Sequence, residues 1–421
     1  MRKTLPIIAF LLSVALQVCA QQKNYDFQEG KLFYKITDAT KQYVQVTTEL
    51  DEFLEATGTL YNSPIKGDVA IPANVNYQGK QYTVTGIGDN AFGGCTQVTS
   101  VSMPASITSL GEQVFLSCTG LKRITVDSNN TVLKDVDGVL FDKSGNKLIA
   151  YPNMRATNYD IPEGTVELGA ASFFMCNEIK NINFPPTLKK IGMLAFGICS
   201  KMNEVTIPET VTDLGDFAFY NCTGLEKAII KANISELKRY MFSRCTALKE
   251  VSLPSTIEFI RTWAFGSCAA MKNIKLPDNL KGIEAEAFNG CETLSEITLP
   301  ASLEQIGMYT FDGCKQLKCI TCLRDTPLKG AAMGAGVFEN VDKIACELKV
   351  PKGHRNEYAE AEQWGDFTRI SEHDLSGIST IISQDSNTQT TIFTINGQRL
   401  PNNTQPSHGI YIINGKKVCV K

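Results

Sequence analysis

Apolar residues recur in a fixed order along the middle of this chain, with a constant period that Cys199, Cys222 and Cys245 mark. One period reads I/L-G-x-x-A-F-x-x-C-x-x-L-x-x-I-x-I/L-P, in which most positions marked x are polar. The end of the period alternates apolar and polar residues, as a strand with one buried face does, and the proline follows where the strand ends. The A-F-x-x-C part has helical spacing but is too short for more than one or two helical turns.

Nine units can be aligned on a phenylalanine and on the cysteine three residues after it. A unit of this length cannot bury its apolar face alone, so successive units must stack into a solenoid. Because every cysteine holds the same position in its unit, we expect all nine to be buried thiols in the core. These structural core thiols are Cys95, Cys118, Cys176, Cys199, Cys222, Cys245, Cys268, Cys291 and Cys314. A tenth, degenerate unit surrounds residues 337–338 and 348–351.

We predict that the array of units covers residues 81–370 and is interrupted once. The interval between Cys118 and Cys176 exceeds two full periods and is not a multiple of the period, which places an insertion near residues 126–159. Two apolar runs in the insertion flank a turn at residues 144–146 and predict a β-hairpin. Residues 21–80 lie outside the period. Two β-type runs there predict an N-terminal β-hairpin cap over the first unit.

Residues 1–20 have the pattern of a secretory signal peptide, with Arg2 and Lys3 before an apolar run and a small-residue cleavage site at Ala20. A lipid-anchored Cys19 is the alternative. The apolar run is too short to span a membrane, and no later segment approaches ~18 consecutive apolar residues. The sequence therefore predicts an exported protein whose mature chain has no transmembrane segment.

The other end of the chain predicts a linker and a small β module. Residues 371–389 are rich in serine, threonine, glutamine and asparagine, which is typical of a flexible linker. Beyond them, Asn396-Gly397 and Asn414-Gly415 are strong hairpin-turn signals. We therefore predict a C-terminal β module over residues 390–421.

Charge and motif content exclude several classes of function. The chain has 41 basic and 44 acidic residues, and loss of the signal peptide would remove two of the basic ones. These charges are scattered and form no basic stripe, so nucleic acid is not an expected partner. The three histidines, His354, His373 and His408, all follow the regular array, and no phosphate-loop, dinucleotide or zinc-protease motif is present. We predict no enzymatic activity and no cofactor.

One group of cysteines, Cys314, Cys319, Cys322 and Cys346, has metal-like spacing. On a strand, Cys319 and Cys322 would point to opposite faces, so their thiolates would not converge on a zinc ion. We predict no metal site here. A disulfide that involves Cys346 stays open as an alternative to free thiols.

The outward residues of the predicted strands are the candidate ligand-binding positions, on the concave face of the solenoid. They are small and polar and include no aromatic residue, so a merely solvated strand face is the alternative. Beyond Ser100 and Ser102 in the first unit, the row comprises Arg123, Thr125, Asn181, Asn183, Glu204, Thr206, Lys227, Ile229, Glu250, Ser252, Asn273, Lys275, Glu296 and Thr298.

The repeated pattern resembles that of the BspA-type, or Treponema-type, leucine-rich repeat family. The likeness extends to Asp137-Gly-Val-Leu-Phe141 and Tyr151-Pro152 in the insertion and to a closing element between Val350 and Ile370. It implies a β-rich, right-handed leucine-rich repeat solenoid of parallel strands and short helical turns. It further implies a secreted or surface-displayed bacterial protein, similar to adhesins that bind host proteins or other bacteria.

The C-terminal segments N-G-x-x-L and G-I-Y-I-x-N-G-K-K-V resemble the sorting domain of the type IX secretion system. That resemblance implies recognition by outer-membrane secretion machinery. Together these observations predict a cell-surface protein that binds an extracellular protein or glycan ligand on host or bacterial surfaces. The alternative is an envelope-associated structural or assembly protein without a host ligand.

Overall fold

The computed structural model describes residues 23–49 and 63–373, and the backbone of residues 392–394, 409–413 and 416–420. The chain divides into two compact units, Met1–His373 and Asp374–Lys421. The predicted signal peptide, Cys19, most of the predicted linker and the two Asn-Gly turns lie outside the described residues.

The described residues form a long series of strands, one 3-10 helix and one α-helix. The strands that lead into the array are β1 Phe27–Glu29, β2 Leu32–Asp38, β3 Tyr43–Thr47, β4 Lys66–Ala70, β5 Asn74–Tyr77 and β6 Lys80–Ile87. Those of its first half are β7 Gln97–Met103, β8 Ser109–Leu110, β9 Arg123–Val126, β10 Leu133–Val136, β11 Val139–Asp142, β12 Lys147–Ala150, β13 Asn158–Asp160, β14 Glu167–Leu168, β15 Asn181–Asn183, β16 Lys190–Ile191, β17 Glu204–Ile207 and β18 Asp213–Leu214.

The remaining strands are β19 Lys227–Ile230, β20 Glu236–Leu237, β21 Glu250–Ser252, β22 Phe259–Ile260, β23 Gly282–Ile283, β24 Glu296–Leu299, β25 Gln305–Ile306, β26 Cys319–Cys322, β27 Glu347–Pro351, β28 Arg369–His373, β29 Ile392–Thr394, β30 Gly409–Ile413 and β31 Lys416–Val420. The 3-10 helix spans Gly330–Ala332 and the α-helix α1 spans Arg355–Ala359.

Most units contribute one strand to each of two parallel rows, which makes the protein a leucine-rich repeat solenoid. The first strand row contains the longer strands, paired as β4-β7-β9, β13-β15, β17-β19-β21 and β24-β26-β27-β28. The second strand row contains mostly two-residue strands, among them β12-β14-β16-β18 and β20-β22-β23-β25. Residues one period apart pair directly, as Glu204, Lys227 and Glu250 do.

The A-F-x-x-C segments form hydrogen-bonded turns instead of the short helical turns that their spacing predicts. Leu194 and Ile198 both have left-handed backbone, at φ 56° and 62°, and a left-handed residue interrupts a helix. The N–H groups of Leu194, Phe196 and Ile198 therefore reach the next unit, where Asp216, Ala218 and Tyr220 accept at 3.1, 2.8 and 2.7 Å. The turns thus form a third row that also holds consecutive units together, and we call it the turn row.

A column of stacked aromatic rings runs through the core of the larger part of the array. Neighbouring rings lie 4.9 to 5.9 Å apart from Phe173 to Phe338, one from each unit. Trp364 and Phe367 then meet Phe338 edge-on, and the Trp364 ring N–H donates to the Leu328 carbonyl at 3.0 Å. These two rings end the column and cover its last member.

The interruption separates two hydrophobic clusters, one from Phe27 to Leu140 and one from Val139 to Phe367. Strands β10, β11 and β12 pair antiparallel, and β12 then pairs parallel with β14. Tyr151 takes the place of the core phenylalanine and stacks on Phe173 at 4.8 Å, while β13 extends the first strand row beside β15. The segment after the hairpin is therefore itself an incomplete unit.

Before the array, β2 and β3 form an antiparallel hairpin, and β3 pairs parallel with β6. Strand β4 pairs in register with β7 and adds a strand to the first row ahead of the first aligned unit. In the C-terminal unit, β29, β30 and β31 form an antiparallel three-stranded sheet.

Ala171, an alanine with left-handed backbone, gives a direct test of the turn geometry. Ala171 has φ 53° and its N–H donates to Met193 at 2.8 Å. Glycine adopts this conformation without the cost that a Cβ imposes, so Ala171→Gly should raise the free energy of unfolding by about 0.5–1 kcal/mol. Urea unfolding of the full chain measures it. The control is Ala195→Gly, at a buried position without left-handed backbone. This change should lower the free energy of unfolding. Equal effects of the two changes would contradict the assigned turn geometry.

Candidate ligand-binding surface

Alternation along the first strand row fixes which side chains can meet a ligand. In β17, Val205 and Ile207 are buried in the core, while Glu204 is exposed and Thr206 half-buried. The same alternation recurs in β19 and β24. Since the units pair in register, the outward positions line up into one surface, which we call the strand face.

The structure places all the predicted binding residues on this strand face. The exposed ones are Arg123, Asn181, Asn183, Glu204, Glu250, Ser252, Asn273, Lys275, Glu296 and Thr298, and the half-buried ones are Thr125, Thr206, Lys227 and Ile229. Strand pairing does not run through the whole row. In the described part of the chain it is broken between β9 and β13, between β15 and β17, and between β21 and β24.

Several of these residues already contact a neighbour one period away. The Asn181 amide donates to Asn158 at 2.7 Å, and Lys227 lies 3.7 Å from the Glu250 carboxylate. Exposed ion pairs of this kind contribute ~0–1 kcal/mol to stability. A ligand can therefore replace them at little cost to the fold.

A depression of about 240 Å³ lies on the strand face where pairing stops after β21. Lys227, Lys249 and Lys275 line it together with Glu250 and Ser252. Lys227 is paired with Glu250, and Lys249 is paired with Glu226 at 3.0 Å. Lys275 is the one lysine of this lining that has no ion pair with a described residue. The depression has the polarity to take an acidic group of a ligand.

The turn row carries an aromatic feature that the sequence analysis missed. Phe217, Tyr240 and Trp263 stand one period apart and stack with near-parallel rings, at 4.5 and 6.1 Å. All three are half-buried and have left-handed backbone, at φ 60°, 54° and 58°. The same left-handed backbone recurs at this position in other units, as at Leu194 and Glu286, so it belongs to the turn and not to the aromatic residues.

Two exposed arginines, Arg239 and Arg244, lie on either side of Tyr240 in the sequence. Neither side chain has an ion pair or hydrogen bond with another described residue. Tyrosine, tryptophan and arginine are the residues most enriched at the energetic centres of protein interfaces. The sequence signal was available as an aromatic residue recurring once per period, just before the core alanine or methionine. We call Phe217, Tyr240, Trp263 and the two arginines the turn-face ridge.

The nine cysteines of the array are buried free thiols. From Cys118 onward, each thiol lies against the carbonyl of the core aromatic residue of the preceding unit. The Cys199 thiol donates to the Phe173 carbonyl at 3.1 Å, and Cys222 donates to Phe196 at 3.1 Å. The same carbonyl also accepts the N–H of the cysteine in its own unit, as Phe196 does from Cys199. Cysteine fits this position because it combines a small apolar side chain with a weak donor.

Burial raises the pKa of array thiols such as Cys118 and Cys199 well above its ordinary value. It raises the pKa of Cys95 to about 11 and that of Cys291 to about 12. For Cys245 and Cys268, burial and then the neighbouring thiols hold the pKa well above its ordinary value. The thiols therefore stay protonated and have no nucleophilic role at neutral pH.

The cysteines after the array do not converge. Cys322 and Cys346 are buried and Cys319 is half-buried, and all three are free thiols. Among the described residues, no group of histidine, cysteine or carboxylate side chains is arranged to hold a metal ion. No helix in the described part of the chain is long and apolar enough to cross a membrane.

These features define a leucine-rich repeat solenoid whose surface, rather than a catalytic cleft, is available for binding. The family model described as BspA type Leucine rich repeat region matches residues 73–146, 147–272 and 264–358. The chain belongs to this family. Its members are repeat proteins that are typically not enzymes.

Solved structures of leucine-rich repeat proteins resemble this chain. One from Eubacterium ventriosum is 22% identical, with 68% of this chain and 93% of that chain covered and a TM-score of 0.52, and it has the same fold. A leucine rich cell surface protein from Faecalibacterium prausnitzii is 19% identical over 70% of this chain and 94% of that chain, with a TM-score of 0.37. A leucine-rich repeat protein from Bacteroides ovatus is 25% identical over 70% and 94%, with a TM-score of 0.29. Among curated proteins, none matches this chain in sequence.

The thiols predict how stability depends on pH. Their pKa is raised in the folded state, so their contribution is complete below the pKa of an unfolded thiol, ~8.5, and is lost as the pH rises from there towards the folded values. Each thiol then lowers the free energy of unfolding by up to about 1.4 kcal/mol per pH unit. Urea unfolding between pH 9 and 11 should show a shallower slope for Cys245→Ala/Cys268→Ala than for the unchanged chain. An identical slope would be inconsistent with buried, protonated thiols at these positions.

Thiol counting tests the same assignment at neutral pH. The folded, unreduced protein should react slowly with an alkylating reagent at the nine array cysteines and faster at the half-buried Cys319. After denaturation without reductant, all nine should become labelled. Mass spectrometry of the labelled peptides gives the count, and labelling of fewer than half of them would show that the array contains disulfides.

Proposed function

We propose that this protein is displayed on or secreted from a bacterial cell and binds protein or glycan ligands of host or bacterial surfaces. Membership of the leucine-rich repeat family supports protein binding in general. The observation that carries the proposal is the strand face, an in-register row of outward polar side chains with a cationic depression at Lys227, Lys249 and Lys275.

Binding through this face would combine many modest contacts. The row lacks aromatic and arginine anchors over most of its length, so no single side chain is expected to dominate the affinity. The cationic depression is the exception, because Lys275 there has no ion pair with a described residue and can pair with a carboxylate or sulfate group of a ligand. We therefore place the specificity of the strand face at the depression.

The turn-face ridge is a second candidate surface, because it holds the anchors that the strand face lacks. Its three aromatic rings stack in a row, with the exposed Arg239 and Arg244 beside Tyr240. A protein ligand is the better match for this surface, since stacked rings show their edges to solvent and offer little open ring face to a sugar.

We further propose that the signal peptide exports the chain and that residues 390–421 act as a type IX sorting module recognised by outer-membrane secretion machinery. The support is the sequence pattern of both ends and the three-stranded antiparallel sheet β29-β30-β31. An envelope-associated structural or assembly role without a host ligand is the alternative function.

The test is binding of the purified mature chain to immobilised matrix proteins, plasma proteins and glycans. We expect saturable binding to at least one of them. Replacing Glu204, Lys227, Glu250 and Lys275 together by alanine should weaken it at least tenfold, because the change removes Lys275 and every other charge of the depression except Lys249. Surface plasmon resonance measures the affinity, and circular dichroism verifies the fold.

A matched control removes four charges of the same signs from elsewhere on the array. Glu178, Lys201, Glu292 and Lys315 form two exposed ion pairs between successive units, and their replacement by alanine should change the affinity less than twofold. If Tyr240→Asn/Trp263→Asn abolishes binding and the strand-face variant does not weaken it, the binding site is the turn-face ridge. Absence of saturable binding by the folded protein would overturn the proposal in favour of the envelope role.

A further inference from the structure

A cavity of about 110 Å³ lies at the interruption of the array. It sits where Leu148 and Leu168 pair in neighbouring units although they are closer in sequence than one full period. The shortened turn of this unit, residues 149–153, leaves space that the full-length turns on either side do not fill. Residues 110–111 and 113–116 of the preceding turn and 169–172 and 174 of the following turn line the space with it.

One wall of the cavity presents backbone N–H groups. In the unit before, the N–H groups of Asn90 and Phe92 each donate to the next turn at 3.0 Å. The equivalent groups here belong to Gln113 and Phe115, and neither donates to any residue that the structure describes. Because N–H groups of the turn row point towards the following unit, both point into the cavity. Such a wall offers donors and no acceptor.

Ser172 adds a buried hydroxyl. It occupies the position before the core phenylalanine, which is alanine in most units, and its side chain is 2% exposed. Its Oγ has no hydrogen-bond partner among the described residues. Thr310, at the same position in a later unit, instead donates to the Gly307 carbonyl at 2.7 Å. An unpaired buried hydroxyl destabilises the fold, and a bound acceptor would remove that cost.

Lys147 supplies the only charge among the residues that line the cavity. Its ammonium group also pairs with Glu167 at 3.0 Å. Lys190, one unit further on, contacts the same carboxylate at 3.9 Å but does not line the cavity. The opposite wall contains the Ala170 carbonyl, whose equivalents in other units accept from the preceding turn and which accepts from no described N–H group here. Besides this acceptor, the cavity holds backbone donors, a hydroxyl and a cation, the groups that bind an oxygen-rich anion.

We propose that this cavity binds a small oxyanion, such as the carboxylate of an acidic ligand, between the Gln113 and Phe115 N–H groups, the Ser172 hydroxyl and the Lys147 ammonium group. The volume corresponds to three or four water molecules at ~30 Å³ each, which is room for a carboxylate but not for a whole sugar. The rest of a larger ligand would remain outside, beside the half-buried Gln113 and Lys147. This site is separate from the strand face and does not depend on the function proposed for it.

Isothermal titration calorimetry of the full chain tests the proposal. The ligands are sodium acetate, sodium glucuronate and glucose, and sodium chloride keeps the ionic strength constant. Saturable binding of acetate alone identifies a site for a free small anion. Binding of acetate and glucuronate identifies a site that also accepts the carboxylate of an acidic sugar. Either result supports the proposal, whereas absence of acetate binding, or equal binding of glucose, overturns it and leaves a cavity filled by water.

Variants locate the site. Lys147→Met should weaken acetate binding at least tenfold, and the matched Lys190→Met, which removes the other lysine near Glu167, should change it less than twofold. Ser172→Ala should weaken binding severalfold without lowering the unfolding midpoint, because its hydroxyl has no partner to lose. Equal effects of the two lysine changes would overturn the assignment. If a variant fails to fold, crystals of the unchanged chain are soaked in selenate. An anomalous signal in the cavity supports the proposal, and its absence there overturns it.

Discussion

The structure depends on one interaction, the stacking of the same buried side chains from each unit to the next. At the regular period a phenylalanine ring lies flat on the next one and a thiol meets the carbonyl of the preceding unit, as Phe219, Phe242 and Cys245 do. The units of other length keep the ring contact, since Tyr151 stacks on Phe173 and Phe311 on Phe338. Buried contacts between units replace the single central core of a globular domain. Every surface feature inherits this period, because a side chain that points outward in one unit points outward in all of them.

The sequence predicted the core more completely than the surface. Burial of Phe288 and Cys291 follows from their place in the period, since an apolar residue repeated in register can only be buried by its copies. The direction of Phe217 and Trp263 could not be predicted in this way. It depends on left-handed backbone, which large aromatic residues disfavour, so nothing in their identity indicates it.

The breaks in the array were partly visible in the sequence. The gap between Cys118 and Cys176 revealed the interruption, but the unit that contains Tyr151 was hidden. Its turn is three residues shorter and it has Asn153 where the period places cysteine, so alignment on the Phe-x-x-Cys pattern passes over it. The break between Glu250 and Asn273 leaves no mark on the period at all. This break is an interruption of strand pairing between units of regular length. The cationic depression lies at this break.

The hydrogen bonds of the turn row all run in one direction. Their N–H groups point towards the C-terminal end of the array and their C=O groups towards its beginning, whereas the bonds beside the second strand row run the other way, as from the Gly192 N–H to the Leu168 carbonyl. The N–H end of the turn row needs an acceptor. At the last turn it has one, because the Gln363 side-chain oxygen accepts the Val337 N–H at 2.9 Å. A solenoid of this kind can therefore be lengthened between its ends, but its final turn requires an acceptor to close it.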